Sequence, residues 1–308
     1  MTTTSEVQSP RNPSEFEGPA FLLNAPFSFS AEVYGDTDDG RRRPDSRRAM
    51  AQFLSLYRFL AAESLVYLLP TPRADGLRDL VFTANLGIVL EHLPERDTVV
   101  LANSGRPRAG ARAVAASFFE SMGYRVVVPE RAFEGEAALK HLHGNVYVGG
   151  YGSCSQRESY EWMERTLDMT VVPVAQHGPL LRRLDRALFP ITREQTLVCT
   201  GVLDQDELRL LEKHTEVVDV SVAGAGAGLC GSLRLDNLIL NASHIHELAA
   251  GSEEYWRELA KNRELEDVAT RLGFEIALIN LSEYRRSGAQ LSCMVMHLNR
   301  HAYRYSQL

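Results

Sequence analysis

Towards the end of the 308-residue chain, Ser282-Glu283-Tyr284 leads through a turn at Ser287 and Gly288 to Gln290-Leu291-Ser292 and then to Cys293, which opens the apolar run Met294 to Leu298. This order predicts a thiol at the mouth of a buried strand, approached through small and polar neighbours. Positive charge or hydrogen-bond donors around such a thiol would favour the thiolate, the form that acts as a nucleophile. The same pattern also suits a cysteine that only fills core volume.

A second group of residues could hold a cation. Asp79 precedes Leu80-Val81-Phe82-Thr83-Ala84-Asn85-Leu86-Gly87, and Glu134 stands in Phe133-Glu134-Gly135-Glu136-Ala137-Ala138. A planar guanidinium with five N–H donors is satisfied by carboxylate and amide acceptors of this kind lying in one plane. Asp79 and Asn85 would equally cap backbone groups of an Asx turn. The pairs His141/His143 and His244/His246 would each project two imidazoles to one face of a strand, the basis of a metal-dependent hydrolase reading. No carboxylate stands at obvious ligand spacing near either pair.

These blocks, in this order, resemble the guanidino-group-modifying superfamily: dimethylarginine dimethylaminohydrolases, arginine deiminases, arginine dihydrolases and amidinotransferases. The Thr-Ala-Asn form of the second block resembles the arginine and succinylarginine dihydrolases. The resemblance implies Cys293 as the nucleophile that attacks the guanidinium carbon. Asp79, Asn85 and the Phe82 segment would hold the substrate, and Glu134 would contact the guanidinium and take part in proton handling. It also implies the fold, a five-bladed α/β propeller (pentein) of repeated ββαβ modules with the substrate in a central channel, and needs no metal or other cofactor.

Three blocks depart from that pattern. The Asp expected shortly after Gly135 is replaced by Ala137 and Ala138, and Glu136 points from the wrong position. In Gly149-Gly150-Tyr151-Gly152-Ser153-Cys154, Cys154 occupies the place of an Arg that commonly holds an α-carboxylate, and Arg157 compensates only if the loop rearranges. In Leu181-Arg182-Arg183-Leu184-Asp185-Arg186, Arg183 replaces the general acid/base His. An arginine stays protonated at any working pH and cannot shuttle a proton as imidazole does. His177 is the nearest substitute, unless it is an ordinary loop histidine. Free arginine and methylarginines are therefore expected to be poor substrates, and a modified or larger guanidino or amidino compound a better one.

The elements that must position these residues alternate between α and β. Apolar residues recur at helical spacing from Ala49 to Leu60. Strands are expected over Ser64–Leu69, Leu80–Phe82, Ile88–Leu90, Thr98–Ala102, Tyr124–Val128, Asn145–Val148, Thr170–Val174, Gln195–Cys199 and Phe274–Leu278, and Asn237 to Leu240 is an apolar run. Asp204 to Glu207 reads as a capping box, and Ser252 and Gly273 as the two ends of the longest helix. The Gly/Ala run 223–228 reads as a flexible loop, and Asp36 to Ser46 as a charged one. Residues 1–18, rich in Ser, Thr, Pro and Glu, are expected to form a loose arm before a single domain over 19–308.

Hydrophobic and charged contents of 44% and 24% are those of a globular protein, and a net charge of −7 argues against nucleic acid or an anionic membrane as partner. Four dispersed cysteines without CxxC spacing, no apolar leader and no long apolar span make a reducing cytoplasmic location the default. The partner implied is a small guanidino or amidino molecule, and a homodimer is compatible with it. Two functional readings follow: a cysteine-dependent C–N hydrolase or amidinotransferase-like enzyme, or a catalytically altered relative that binds a ligand or protein partner in the channel.

Overall fold

A computed structural model describes residues 12–29, 44–72, 77–104, 109–178 and 180–304. After β1 (Ala20–Leu23), α1 (Ser46–Glu63) and β2 (Leu65–Leu68), one pattern recurs: two antiparallel strands, a helix, and a third strand parallel to the second. The first such unit is β3 (Gly87–Leu90), β4 (Thr98–Leu101), α2 (Ala109–Ser121) and β5 (Arg125–Val127). The second is β6 (Leu139–His143), β7 (Val146–Tyr151), α3 (Arg157–Leu167) and β8 (Thr170–Ala175). The third is β9 (Leu188–Pro190), β10 (Gln195–Val198), α4 (Gln205–Leu211) and β11 (Glu216–Asp219). After α5 (Val222–Ala227), the fourth is β12 (Leu233–Leu235), β13 (Leu238–Ala242), α6 (Glu253–Arg271) and β14 (Glu275–Ile279). The chain then forms α7 (Ser282–Arg285), α8 (Leu291–Met294) and β15 (Met296–His297). β15 pairs antiparallel with β1, Phe21 opposite His297, and β1 pairs parallel with β2, so residues from both ends of the described chain complete a fifth three-stranded sheet.

Local chemistry accounts for most of these elements. Asp45 Oδ1 accepts from the Arg47 and Arg48 amides at 2.8 and 3.1 Å and starts α1, which buries Ala49, Phe53, Leu56 and Leu60 on one face. Asp204 and Glu207 form the expected capping box of α4, and Ser252 caps α6. The first strands are short and buried along their length: every residue of β1, β3 and β9 is buried, as suits strands covered on both faces.

Four expectations are corrected. Leu80 and Val81 lie in a 3-10 turn over Arg78–Val81 rather than in a strand, with Phe82 capping it. The 223–228 run lies in helix α5 rather than a loop, because Ser221 caps it, Gly228 closes it at a φ of +104°, and α6 packs against it. Residues 12–18 are not loose. Ser14 is buried and bonded to Asn12 and to the Arg96 carbonyl, and the Gly18 carbonyl accepts from Asn299 at 2.9 Å. Cys293 and Met294 belong to α8, which leaves only Met296–His297 as strand. Residues 1–11 and most of the charged loop expected at 36–46 lie outside the described residues.

A buried ion pair fixes α6 to the segment that leads to Cys293. Glu258 accepts from Lys261 Nζ at 2.7 Å and from Arg285 Nη1 of α7 at 3.0 Å, and the Glu258 and Lys261 side chains are at most 2% exposed. Burial alone would push the Glu258 carboxyl up, but bonds and charge from His244 and Lys261 hold it well below the ordinary carboxylate range. Glu258→Gln should therefore cost about 3–5 kcal/mol by stranding a buried ammonium. A carboxylate with a depressed folded pKa contributes fully above its unfolded value, about 4.3, and loses that contribution as pH falls towards the folded one. Urea unfolding of both proteins should show the largest gap near pH 7 and a shrinking gap below about pH 4; a gap that does not change with pH would remove the ionic account.

Candidate active site

Four short turns, each placed just before the first strand of a sheet, bring the site together. They are Thr83–Asn85 before β3, Gly135–Ala137 before β6, Leu184–Arg186 before β9, and α8 before β15. Gly288, at a φ of +80°, turns the chain into the extended Gln290 that precedes α8. Thr83 Oγ1 lies 2.8 Å from the carbonyls of both Leu22 and Met294 and ties the Thr83 turn to α8.

Asp185 is the hub. Its carboxylate is 1% exposed and accepts from Ser292 Oγ at 2.9 Å, and Oδ2 lies 3.6 Å from Cys293 Sγ. Arg183 donates to both Asp185 oxygens, from Nε at 3.2 Å and Nη2 at 3.3 Å, and Nη2 also donates to Asn85 Oδ1 at 2.9 Å. The half-buried Arg183 guanidinium is also attracted by Cys293 and Glu134, and with Asp185 these charges raise its pKa. Because Asn85 accepts through Oδ1, its Nδ2 is the remaining donor, and that atom is buried without a hydrogen-bond partner.

Electrostatics follow from this crowding. Burial pushes the Cys293 thiol up. The Arg183 charge and the Gln290 N–H, 3.2 Å from the sulfur, pull it back without overcoming burial. Burial would raise the Asp185 carboxyl, but Arg183, Lys140 and the Ser292 hydroxyl hold it below its usual value. Lys140 on β6 is buried, which lowers its pKa against the attraction of Asp185, Glu136 and Cys293.

Of the residues named from the sequence, Cys293, Asn85, Arg183 and Glu134 come together. Glu134 is 4% exposed, and its N–H donates to Ser155 Oγ at 3.0 Å. Asp79 lines a small recess beside Asn85 and Arg112. The buried Phe82 ring packs edge-on to Phe29, 5.9 Å away, in a core shared with Tyr284. Cys154, Arg157 and His177 are exposed. Arg157 pairs with Glu161 across one turn of α3. His177 makes no hydrogen bond to the Cys293–Asp185–Arg183 group. Glu136 is held by His297, with 2.7 Å to Nδ1 and 2.9 Å to the main-chain N, and does not turn towards the thiol.

Asp185, Ser292 and Lys140 were not singled out from the sequence. The first two were legible in part: Asp185 stands two residues after Arg183, and Ser292 precedes Cys293. In the first histidine pair, His141 bonds the Gly144 carbonyl and His143 the His214 carbonyl, while His244 of the second pair faces Glu258. Among the described residues no group of three or more His, Cys, Asp or Glu is placed to hold a metal.

Beside α8 opens a cavity of about 700 Å³ lined by Arg186, Arg285, Arg286, Glu247, Gln290 and Leu291. Arg186 Nη2 donates to the Gly288 carbonyl at 2.9 Å, joining the Asp185 turn to the loop before Cys293.

Comparison with known proteins finds relatives among enzymes that act on guanidino compounds. The bifunctional arginine dihydrolase/ornithine cyclodeaminase AgrE of Nostoc sp. is 26% identical over 287 residues, which cover 90% of this chain and 37% of that protein. The N(G),N(G)-dimethylarginine dimethylaminohydrolase of Mycobacterium tuberculosis is 32% identical over 115 residues, 37% of this chain and 36% of its own. Among solved structures, a variant of the N-terminal domain of ArgZ covalently bound to a reaction intermediate superposes with a TM-score of 0.76 at 21% identity, covering 91% of this chain and 97% of that one, a likeness of fold. No family model matches the chain. The chain spans about a third of the length of the bifunctional relatives it matches. No described helix is long and apolar enough to cross a membrane. The resemblance read from the motifs, to the guanidino-group-modifying superfamily, is thus carried by homologues and by fold.

Proposed function

We propose that this relative of the guanidino-modifying enzymes cleaves a C–N bond of a guanidino or amidino compound through an adduct on Cys293, and that Arg183 must leave its acceptors before such a group can enter. The observation that carries this reading is the guanidinium already held there: Arg183 is bound by Asp185 and Asn85 next to the Cys293 sulfur. Acceptors that satisfy one guanidinium can satisfy another. We further propose that the five sheets close as five blades around one axis, since β15 packs on β3 and β6 on β9 while β15 and β1 join the two ends of the chain.

In the proposed sequence Arg183 swings out and Asp185 loses a positive neighbour, so its carboxylate becomes more basic. The Cys293 thiol gives its proton to Asp185, Sγ bonds to the amidino carbon, and the C=N π pair moves onto nitrogen. That pair re-forms C=N as the C–N bond breaks, and the departing amine takes the proton held on Asp185. Water or an acceptor amine adds to the sulfur-bound carbon and gives a proton to Asp185; the C–S bond then breaks, and the Cys293 thiolate takes that proton back. The neighbouring cavity is larger than a free amino acid needs and is walled by Arg186, Arg285 and Arg286 as well as Glu247 and Glu254, with Arg285 and Arg286 held by Glu258 and Glu283; its size suits a substrate extended by an acyl or similar group.

A second reading, a catalytically altered ligand-binding relative, is favoured by the absence of an imidazole at Arg183 and by the raised Cys293 pKa. A panel of arginine, its N-methyl and N-acyl derivatives and agmatine separates the two, with amine release and the intact mass of the protein as readouts. An extended guanidino compound is expected to release amine and add mass at Cys293, while free arginine stays below about 10⁴ M⁻¹s⁻¹ in kcat/KM. If no compound releases amine or adds mass at Cys293, the enzymatic reading fails and the second stands.

A further inference from the structure

The turns that build the Cys293 site precede the first strands, and a separate cavity of about 160 Å³ lies where those strands end. Glu91 follows β3, His141 and His143 close β6, Arg193 follows β9 and Arg300 follows β15. With Arg96, the walls carry three guanidiniums against one carboxylate. That carboxylate is already engaged, since Glu91 Oε1 accepts from the Arg300 main-chain N at 2.7 Å. Among the described residues Arg96, Arg193 and Arg300 form no ion pair. Arg300 is 7% exposed, and its Nη2 is buried without a hydrogen-bond partner. The guanidinium lies over the Tyr303 ring, 5.0 Å from its centroid, and is attracted by Glu136 and Glu91, yet Nη2 keeps no acceptor of its own, and an anion in the cavity would supply one.

We propose that this cavity binds a small, multiply charged oxyanion of the phosphate type, held by Arg300 at its base and by Arg193 and Arg96 nearer its rim. Several guanidiniums ask for more than one negative charge, and their fork of donors matches phosphate oxygens in pairs. The volume equals that of roughly five waters, enough for a tetrahedral oxyanion. His141 refines the choice. Its Nε2 bonds the Gly144 carbonyl and is therefore the donor, which leaves Nδ1 as an acceptor. Burial and Arg300 hold this ring's pKa down to about 3, so it stays neutral. In the proposed complex Nδ1 faces the anion, and there hydrogen phosphate can offer it a proton while sulfate cannot. This assignment does not depend on the chemistry at Cys293.

Calorimetry of the full chain with inorganic phosphate, sulfate and chloride at matched ionic strength tests it. One saturable phosphate site is expected, at least about tenfold tighter than sulfate. Arg193→Ala, at an exposed position, should weaken phosphate about tenfold or more, and Arg300→Met should abolish it in protein shown by circular dichroism to be folded. Cys293→Ala and Arg286→Ala should bind phosphate as the parent does. Absence of a saturable site, binding indifferent to Arg193→Ala, or binding lost in Arg286→Ala would overturn the site, and equal affinity for sulfate would overturn the choice of a protonated oxyanion.

Discussion

Arg183→Ala should produce a protein that is less stable than the parent and is rescued by methylguanidinium, whereas the parent gains nothing from the same ion. In the parent, the Arg183 guanidinium satisfies Asp185 and Asn85 at 2.9–3.3 Å. Removing it leaves the Asp185 carboxylate buried with its main counter-charge gone, a loss on the order of 3–5 kcal/mol. Lys140 remains nearby and keeps the cost towards the lower end. A guanidinium that binds only the folded variant returns RT ln(1 + [L]/Kd), about 2.7 kcal/mol at a hundred times its Kd, which raises Tm by roughly 4 °C. Sodium chloride at equal ionic strength should not substitute for it. Equal thermal shifts in parent and variant would mean that Arg183 does not occupy the acceptors, and the gating role proposed for it would fall. Arg183→His adds a kinetic counterpart: with an imidazole beside Asp185 and the acceptors free, amine release from guanidino compounds should exceed that of the parent.

Cys293→Ala should abolish turnover of any compound the parent cleaves while leaving the fold in place. If Sγ forms the bond to the amidino carbon, its loss removes the covalent route altogether. A fall of about 10⁴-fold or more in kcat is expected, equivalent to at least about 5.5 kcal/mol of transition-state stabilisation. The structural cost is small by comparison. The substitution removes one sulfur, the acceptor of the Gln290 N–H at 3.2 Å, and a weak contact to Asp185, together about 1–2 kcal/mol. Activity and unfolding measured on the same preparation separate the two effects. A folded variant that turns over at the parental rate would exclude the covalent mechanism, and one that fails to fold would show Cys293 to be chiefly a core residue.

Local signals made several elements legible. Ser252 and Gly273 bracket the longest helix because capping depends on side chains within three or four residues, and the Asp204 capping box is readable for the same reason. Many strands were readable as short apolar runs, but β6, β9 and β12 were not, and the run at Leu80–Phe82 forms a turn. The Gly/Ala run at 223–228 misled because glycine disfavours helix on its own. Contact with α6 and a cap at each end outweigh that preference in the fold. α8 escaped for the opposite reason: four residues are too few to show a helical period.

The sequence by itself determined the chemical inventory. Cys293, Glu134, Asn85 and Arg183 are visible in the order of the blocks, and homologues carry the resemblance those blocks suggested. What only the tertiary structure decided is how those groups satisfy one another. Arg183 and Asn85 are 98 residues apart, and Asp185 and Ser292 are 107 apart, yet each pair shares a hydrogen bond. No local rule predicts such pairs, because they arise when turns from separate sheets converge on one buried spot. There, out of reach of bulk water, a carboxylate must find a cation, and the nearest is the chain's own Arg183.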